Sequence, residues 1–358
     1  MRRPRSGFAL GSIRLRWCHV RHTFAGDDSM TISRRAVLAG AAVATAHLAR
    51  PRPTASAEPA LADSAFAAVY RAVAGQAGGR WHSLVTNVTA GNAETVVAQD
   101  ENFVIEGASV QKLAVATALL DAVDRGDLAL SDTVELTDDV IAGGAGIYHR
   151  QVVYGDRLTL SNALTAMLQV SDNTAVRLIG SVLPGVEINR ILAAKGLTRT
   201  RVDPLPDNPN RFWLGVTTPR EMNELLVRLV KGTLLSEAST AAMLRVLTWS
   251  SVGYVDGVRR TMSSMERTRV ATKYGADDDR RHEAGVVFDE AGAPLLVYAY
   301  FADQVPQPGN FGSTNPVVEA HSLLGRAMVD GYRKLSSLQS LFDPVRTHRE
   351  ITAGRQPG

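Results

Sequence analysis

The sequence is nearly without cysteine: one residue, Cys18, in 358. A disulfide framework is therefore excluded, and beyond residue 57 so is thiol chemistry. The eight histidines are scattered, with no H-x-H or H-E-x-x-H pair. No metal site and no cofactor are expected. No apolar run reaches the roughly 20 residues that a membrane-spanning helix needs. No internal repeat is visible. Lysine and glutamate are missing from residues 1–57, which hold ten arginines and two aspartates, a net charge of +8. The whole chain is +3, so residues 58–358 are mildly acidic at −5. The apparent basicity belongs to the N-terminal segment, and no nucleic-acid partner is expected.

What remains is ordinary globular composition, 45% hydrophobic and 21% charged. A chain of this length can bury a large core. The arginine-rich start reads as a targeting segment. Ser33-Arg34-Arg35-Ala36-Val37-Leu38 is a twin-arginine pattern, and Ala39 to Ala46 follow as a short, weakly apolar stretch. Ala55-Ser56-Ala57 reads as a cleavage site. The expectation is export by the twin-arginine route to a secreted, periplasmic or cell-wall location. A basic disordered tail is the other reading. Met30 lies just before the twin arginines and is a second candidate start beside Met1.

Three short motifs carry the chemistry. In Ser109-Val110-Gln111-Lys112, serine and lysine three apart open an apolar, helix-forming run, Leu113 to Leu120. On a helix that spacing puts both side chains on one face. A serine hydroxyl needs an adjacent base to attack, and a desolvated lysine can be one. Taken alone, Ser109 serves equally well as a helix cap and Lys112 as a solvated surface lysine. Ser171-Asp172-Asn173 interrupts two apolar segments, which suggests two helices joined by a short break with capping residues in it. Lys273-Tyr274-Gly275 follows Arg269-Val270-Ala271-Thr272, which reads as a strand. Two further apolar runs, 282–288 and 294–301, flank the turn Asp289-Glu290-Ala291-Gly292 and form a hairpin signal.

In this order and spacing, the motifs resemble the S-x-x-K, S-D-N and K-x-G boxes of class A β-lactamases and related penicillin-recognising serine enzymes. The resemblance runs from about residue 60 to about residue 335. It implies an α/β (α+β) sandwich: a five-stranded antiparallel sheet flanked by helices and split by an inserted helical subdomain. The expected division is an α/β subdomain over about 58–125 and 255–340, a helical subdomain over about 126–254, and a disordered tail from 344. It implies that Ser109 is the nucleophile and Lys112 its base, with Ser171 and Lys273 managing protons and substrate charge. Asn173, Tyr274, Gly275 and Ala276 would bind substrate, and the backbone N–H groups of Ser109 and Ala276 would form the oxyanion hole. The implied substrate is a β-lactam, or a D-Ala-containing peptide or ester on the same scaffold. A non-catalytic cell-wall module that keeps the boxes as a binding cleft is the reading from another class. A monomer is expected.

Two departures stand out. Tyr274 occupies the place of the usual threonine or serine of the third box. The family's deacylating glutamate, on a loop between the second and third boxes, has no counterpart: aligning on Arg201-Val202-Asp203 puts Pro206 there. Asp207 is one residue further and is the candidate substitute, or else a solvated turn carboxylate in a Pro-rich loop. Asn210 falls at the family's loop asparagine. Arg280 and Arg281 receive no role. His282 is placed either at the cleft rim or, by preference, on an edge-facing strand.

Overall fold

The computed structural model describes residues 57–90, 92–150 and 154–342. The twin-arginine segment, Ala55 and Ser56 of the cleavage site, and the tail after Phe342 lie outside the described residues. Along the chain the elements are α1 (Ala57–Ala77), β1 (Arg80–Ala90), β2 (Asn92–Gln99), β3 (Ile105–Glu106), α2 (Lys112–Asp124), β4 (Thr133–Glu135), β5 (Arg157–Thr159), α3 (Leu160–Gln169), α4 (Asn173–Gly180) and α5 (Gly185–Ala194). They continue with β6 (Arg201–Leu205), β7 (Asn208–Thr217), α6 (Pro219–Val230), α7 (Glu237–Thr248), α8 (Ser264–Arg267), β8 (Val270–Asp277), β9 (Arg280–Phe288), β10 (Pro294–Asp303) and α9 (Pro316–Phe342).

Five strands form one antiparallel sheet in the order β2-β1-β10-β9-β8. Two strands precede the helical segment and three follow it, so the sheet is split in sequence as expected. Strand β10 shows why the sheet is covered on both faces. Its residues Val297, Ala299 and Phe301 join one core; Leu296, Tyr298, Tyr300 and Ala302 join the other. Period-two alternation sends neighbours to opposite faces, and here both faces are apolar. The second core is completed by Tyr70 of α1 and by Leu324 and Tyr332 of α9. The first is completed by α2, α3, α4, α5, α6 and α7. Leu113, Leu119 and Leu120 of α2 are fully buried, each contributing about 1.5–3 kcal/mol of transfer free energy. Helix α2 is thus the central rod of the helical layer, and Ser109 stands at its entrance.

Several helix starts follow side-chain chemistry visible in the sequence. Thr159 caps α3 with a reciprocal Asn162 bond, Asp172 caps α4, and Thr218 caps α6 with Pro219 at its first position. The stretch expected as an irregular loop, 201–210, is instead a β-hairpin. Strands β6 and β7 pair from Arg201↔Val216 to Leu205↔Asn208 around the turn at Pro206 and Asp207, and β3 extends them to a three-stranded sheet. Among the described residues no helix is long and apolar enough to cross a membrane.

Candidate active site

Ser109 sits in a 3₁₀ turn, Ala108–Gln111, and α2 proper begins at Lys112. The nucleophile candidate therefore precedes the helix rather than lying in its first regular turn. Ala108 has a left-handed φ of 42°, a strained conformation for a residue with a Cβ. Gln111, buried beneath the turn, donates to the carbonyls of Arg201 (3.0 Å) and Val216 (2.9 Å). One variable position of the S-x-x-K motif thereby ties the turn to the hairpin, a role no sequence signal announced.

Lys112 Nζ lies 3.1 Å from Ser109 Oγ, 3.0 Å from Ser171 Oγ, 2.6 Å from the Ser171 carbonyl and 2.7 Å from Asn173 Oδ1. Its side chain is fully buried, with no carboxylate at ion-pair distance among the described residues. Burial pulls its ammonium down to about 7, against a weaker upward pull from Asp172. The carbonyl and the amide oxygen, at the two shortest distances, can only accept. A neutral amine has two N–H groups for them and keeps its lone pair for a serine hydroxyl.

Ser171 takes a left-handed φ of 56°, and that turn aims both its hydroxyl and its carbonyl at Lys112. Asp172, completely buried, holds the turn. Its Oδ1 accepts from Ala175 N at 2.9 Å and its Oδ2 from Ile147 N (2.6 Å) and Tyr148 N (2.8 Å). The cap role was legible from residue type; the clamp on the 147–148 backbone was not. Asn173 Nδ2 donates to Gly143 O at 2.9 Å.

Strand β8 is the outer strand beside this turn. Lys273 Nζ donates to Ser171 Oγ at 3.1 Å and to the Tyr274 carbonyl at 2.8 Å, and it lies 4.1 Å from the centre of the Tyr274 ring. Burial foremost, then the neighbouring Lys112, holds its ammonium well below the ordinary lysine range, with Glu283 pulling the other way. Ser109, Lys112, Ser171 and Lys273 form one unbroken chain of contacts. Gly275 lets β8 press against the nucleophile turn: a Cβ there would stand 2.9 Å from Ser109 N and 2.7 Å from Val110 N. Tyr274 stacks on Tyr254 at 4.0 Å and 20°. Tyr254 escaped the sequence reading because it lies in an irregular stretch with no periodicity.

Two cavities open beside Ser109, of about 540 and 610 Å³. Ser109, Asn173, Ala276 and Asp277 line both. The first is walled by Phe212, Trp213 and Leu214 of the hairpin; the second contains Ser171, Tyr254, Tyr274 and Gly275. Asp207 stands at the exposed hairpin tip, and neither it nor Asn210 lines either cavity. The structure does not bring those two candidates to the site. The carboxylates lining the first cavity are Glu106 and Asp277.

His282 corrects the edge-strand expectation. Strand β9 is interior, and His282 is buried, its Nε2 3.1 Å from Glu106 O and its Nδ1 accepting from Ala302 N. Burial pushes its imidazole down to about 3, so it stays neutral. Arg280 pairs with Glu106 at 3.5 Å. Among the described residues no cluster of three or more metal-ligating side chains occurs.

Comparison with known proteins agrees with the three motifs. β-Lactamase OXY-2 of Klebsiella oxytoca is 28% identical over 232 residues, covering 63% of this chain and 77% of that protein. A β-lactamase structure from Sphaerobacter thermophilus superimposes with a TM-score of 0.61 at 23% identity, covering 74% of this chain and 96% of that one. An acyl-enzyme complex of a PBP-A variant with penicillin G gives a TM-score of 0.59 at 19% identity, covering 75% and 95%. The model of the β-lactamase enzyme family matches residues 65–332, and the chain belongs to that family.

Proposed function

We propose that this protein is an exported serine hydrolase that opens β-lactam amides through an acyl-enzyme on Ser109, with fast acylation and slow deacylation. The observation that carries the reading is the contact chain Ser109 Oγ–Lys112 Nζ–Ser171 Oγ–Lys273 Nζ, with distances of 3.0–3.1 Å throughout. Above pH about 7 the Lys112 amine is neutral. It takes the Ser109 proton as Oγ bonds to the carbonyl carbon. The resulting oxyanion is met by the backbone N–H groups of Ser109 and Ala276. The C–N bond then breaks, the leaving nitrogen takes its proton from Ser171 Oγ, and Ser171 is reprotonated by Lys112 or Lys273. An ester on Ser109 remains.

Hydrolysis of that ester needs a positioned water and a base. General-base help is worth about 10²–10⁴-fold. The hairpin wall of the first cavity contributes Leu205, Arg211, Phe212, Trp213 and Leu214, and no carboxylate. The cavity's carboxylates, Glu106 and Asp277, lie off the hairpin on β3 and β8, and Glu106 pairs with Arg280 at 3.5 Å, so a long-lived acyl-enzyme is expected. Ser109→Ala is expected to abolish labelling by a fluorescent penicillin with the fold intact by circular dichroism; persistent labelling sinks the reading. Export rests on Arg34-Arg35. Changing both to lysine is expected to trap the precursor in the cytoplasm, and unchanged secretion would point to another route.

A further inference from the structure

Ser109 stands on a turn that cannot hold itself. Ala108, the residue before it, has a left-handed φ of 42°, a conformation that alanine leaves unless its surroundings keep it there. In the proposed reaction the Ser109 N–H is reserved for the oxyanion, so it cannot pin the turn by a bond to the protein.

The hold comes from beneath. Gln111 is completely buried and lines neither cavity. Its Nε2 donates to the carbonyls of Arg201 at 3.0 Å and Val216 at 2.9 Å, two residues that face each other across the base of the β6–β7 hairpin. Two acceptors fix which end of the amide points there, because Oε1 in that place would face two carbonyl oxygens. Oε1 is left buried with no hydrogen-bond partner among the described residues. Such an orphaned oxygen lowers stability, and an apolar side chain of similar size would avoid it. Glutamine at 111 thus gives up stability and gains a tie between the turn and the hairpin. Gly107 closes the arrangement. Its N–H donates to Gly215 O at 3.0 Å, and a Cβ on it would stand 2.9 Å from Gln111 Oε1. Arg201, Gly215 and Val216, which receive these bonds, do not line the first cavity.

We infer that Gln111 is a positioning residue: by tying the nucleophile turn to the base of the β6–β7 hairpin, it keeps Ala108 left-handed and Ser109 aligned with Lys112 and the oxyanion donors. This inference rests on the proposed Ser109 acylation and names the residue that sets the nucleophile's geometry. The hairpin's wall residues can change while its base goes on holding Ser109.

The test uses Gln111→Leu and Gln111→Met, which keep the bulk and remove both donor bonds. Release of a left-handed alanine corresponds to a loss of about tenfold or more in the competent turn. The acylation rate at saturating fluorescent penicillin is expected to fall by about ten- to a hundredfold. The non-covalent affinity, measured in a Ser109→Ala background, and the inflection of the pH profile are expected to stay where they are. Adding Ala108→Gly to Gln111→Leu is expected to recover about threefold or more of the rate, because glycine adopts the left-handed turn without strain. A packing defect would not be repaired that way. A folded variant acylated within about twofold of the wild type overturns the inference. So does a loss carried by weaker binding or a moved pH inflection, and so does a lack of recovery with Ala108→Gly. If neither variant folds, Gln111 is a structural residue and the inference falls as well. A fluorophosphonate, which needs only the nucleophile and the oxyanion donors, is expected to report the same fall. A wild type labelled by it and not by penicillin would refute the β-lactam reading alone, and the fluorophosphonate rates would then decide this one. A wild type labelled by neither overturns both.

Discussion

Ser109 stands between two unlike walls. On one side, Lys112 of α2, Ser171 of the α3–α4 junction and Lys273 of β8 are buried and form a continuous contact chain with the partly accessible serine. On the other, the β6–β7 hairpin offers an apolar and aromatic surface, with Trp213 largely exposed and the hairpin's turn carboxylate pointing away at the tip. On the proposed reading the first wall makes the acyl-enzyme, and the hairpin residues of the second bring no carboxylate to help water break it. Bond-making and bond-breaking would then rest on separate elements, and one could change while the other stays intact.

The largest effect that can break this contrast is at Lys112. If its amine is the base, Lys112→Ala slows acylation by about 10²–10⁴-fold. Because burial lowers its ammonium to about 7, the base form is lost below that pH and complete above it. The acylation rate of the wild type is expected to climb about tenfold per pH unit below 7 and to level off above. A rate flat from pH 5 to 9 in stopped-flow labelling would remove Lys112 from that role.

A smaller effect is expected at Asp172, which touches no reacting atom and positions those that do. Asn at this site places an NH₂ group against N–H donors. Asp172→Asn is expected to cost about 1–3 kcal/mol of stability. Its acylation rate is expected to fall because the turn is disturbed, and the inflection of its pH profile to move modestly to lower pH because the upward pull of Asp172 on Lys112 is lost. Thermal unfolding and the pH profile together check this. A displaced profile with an undiminished plateau rate would mean that Asp172 acts on Lys112 through charge alone.

The smallest effect sharpens the contrast from the hairpin side. Asp207→Asn is expected to leave the steady-state rate unchanged within about twofold, since an exposed turn substitution far from buried networks is nearly neutral. A steady state slowed tenfold would bring Asp207 back into deacylation.

The polar wall was legible in the sequence because it is written locally. Ser109 and Lys112 are three apart, Ser171 to Asn173 are consecutive, and Lys273 to Gly275 lie on a strand announced by alternation. Three of the five sheet strands fall in one run, with a readable hairpin between the last two. The hairpin wall was not legible, for a physical reason. Pro204, Pro206 and Pro209 argue against strands, yet β6 pairs along one edge only, and Pro209 lies beyond the short β3 pairing at Val216 and Thr217. Proline is tolerated where no ladder bond is required. His282 was misplaced because strand order is set by long-range pairing that local pattern does not record. Tyr254 and Gln111 matter through contacts with residues 20 or more positions away, and no spacing rule finds those.

The separation of making from breaking is tested most directly by mixing the protein with a molar excess of penicillin and following its intact mass from milliseconds to minutes. A single adduct of one whole penicillin, formed quickly, absent in Ser109→Ala and persisting while nitrocefin gives a burst and then a weak steady state, is the predicted result. Sustained, efficient turnover with no accumulating adduct would contradict it, because it would require an effective base for water that the hairpin wall does not hold.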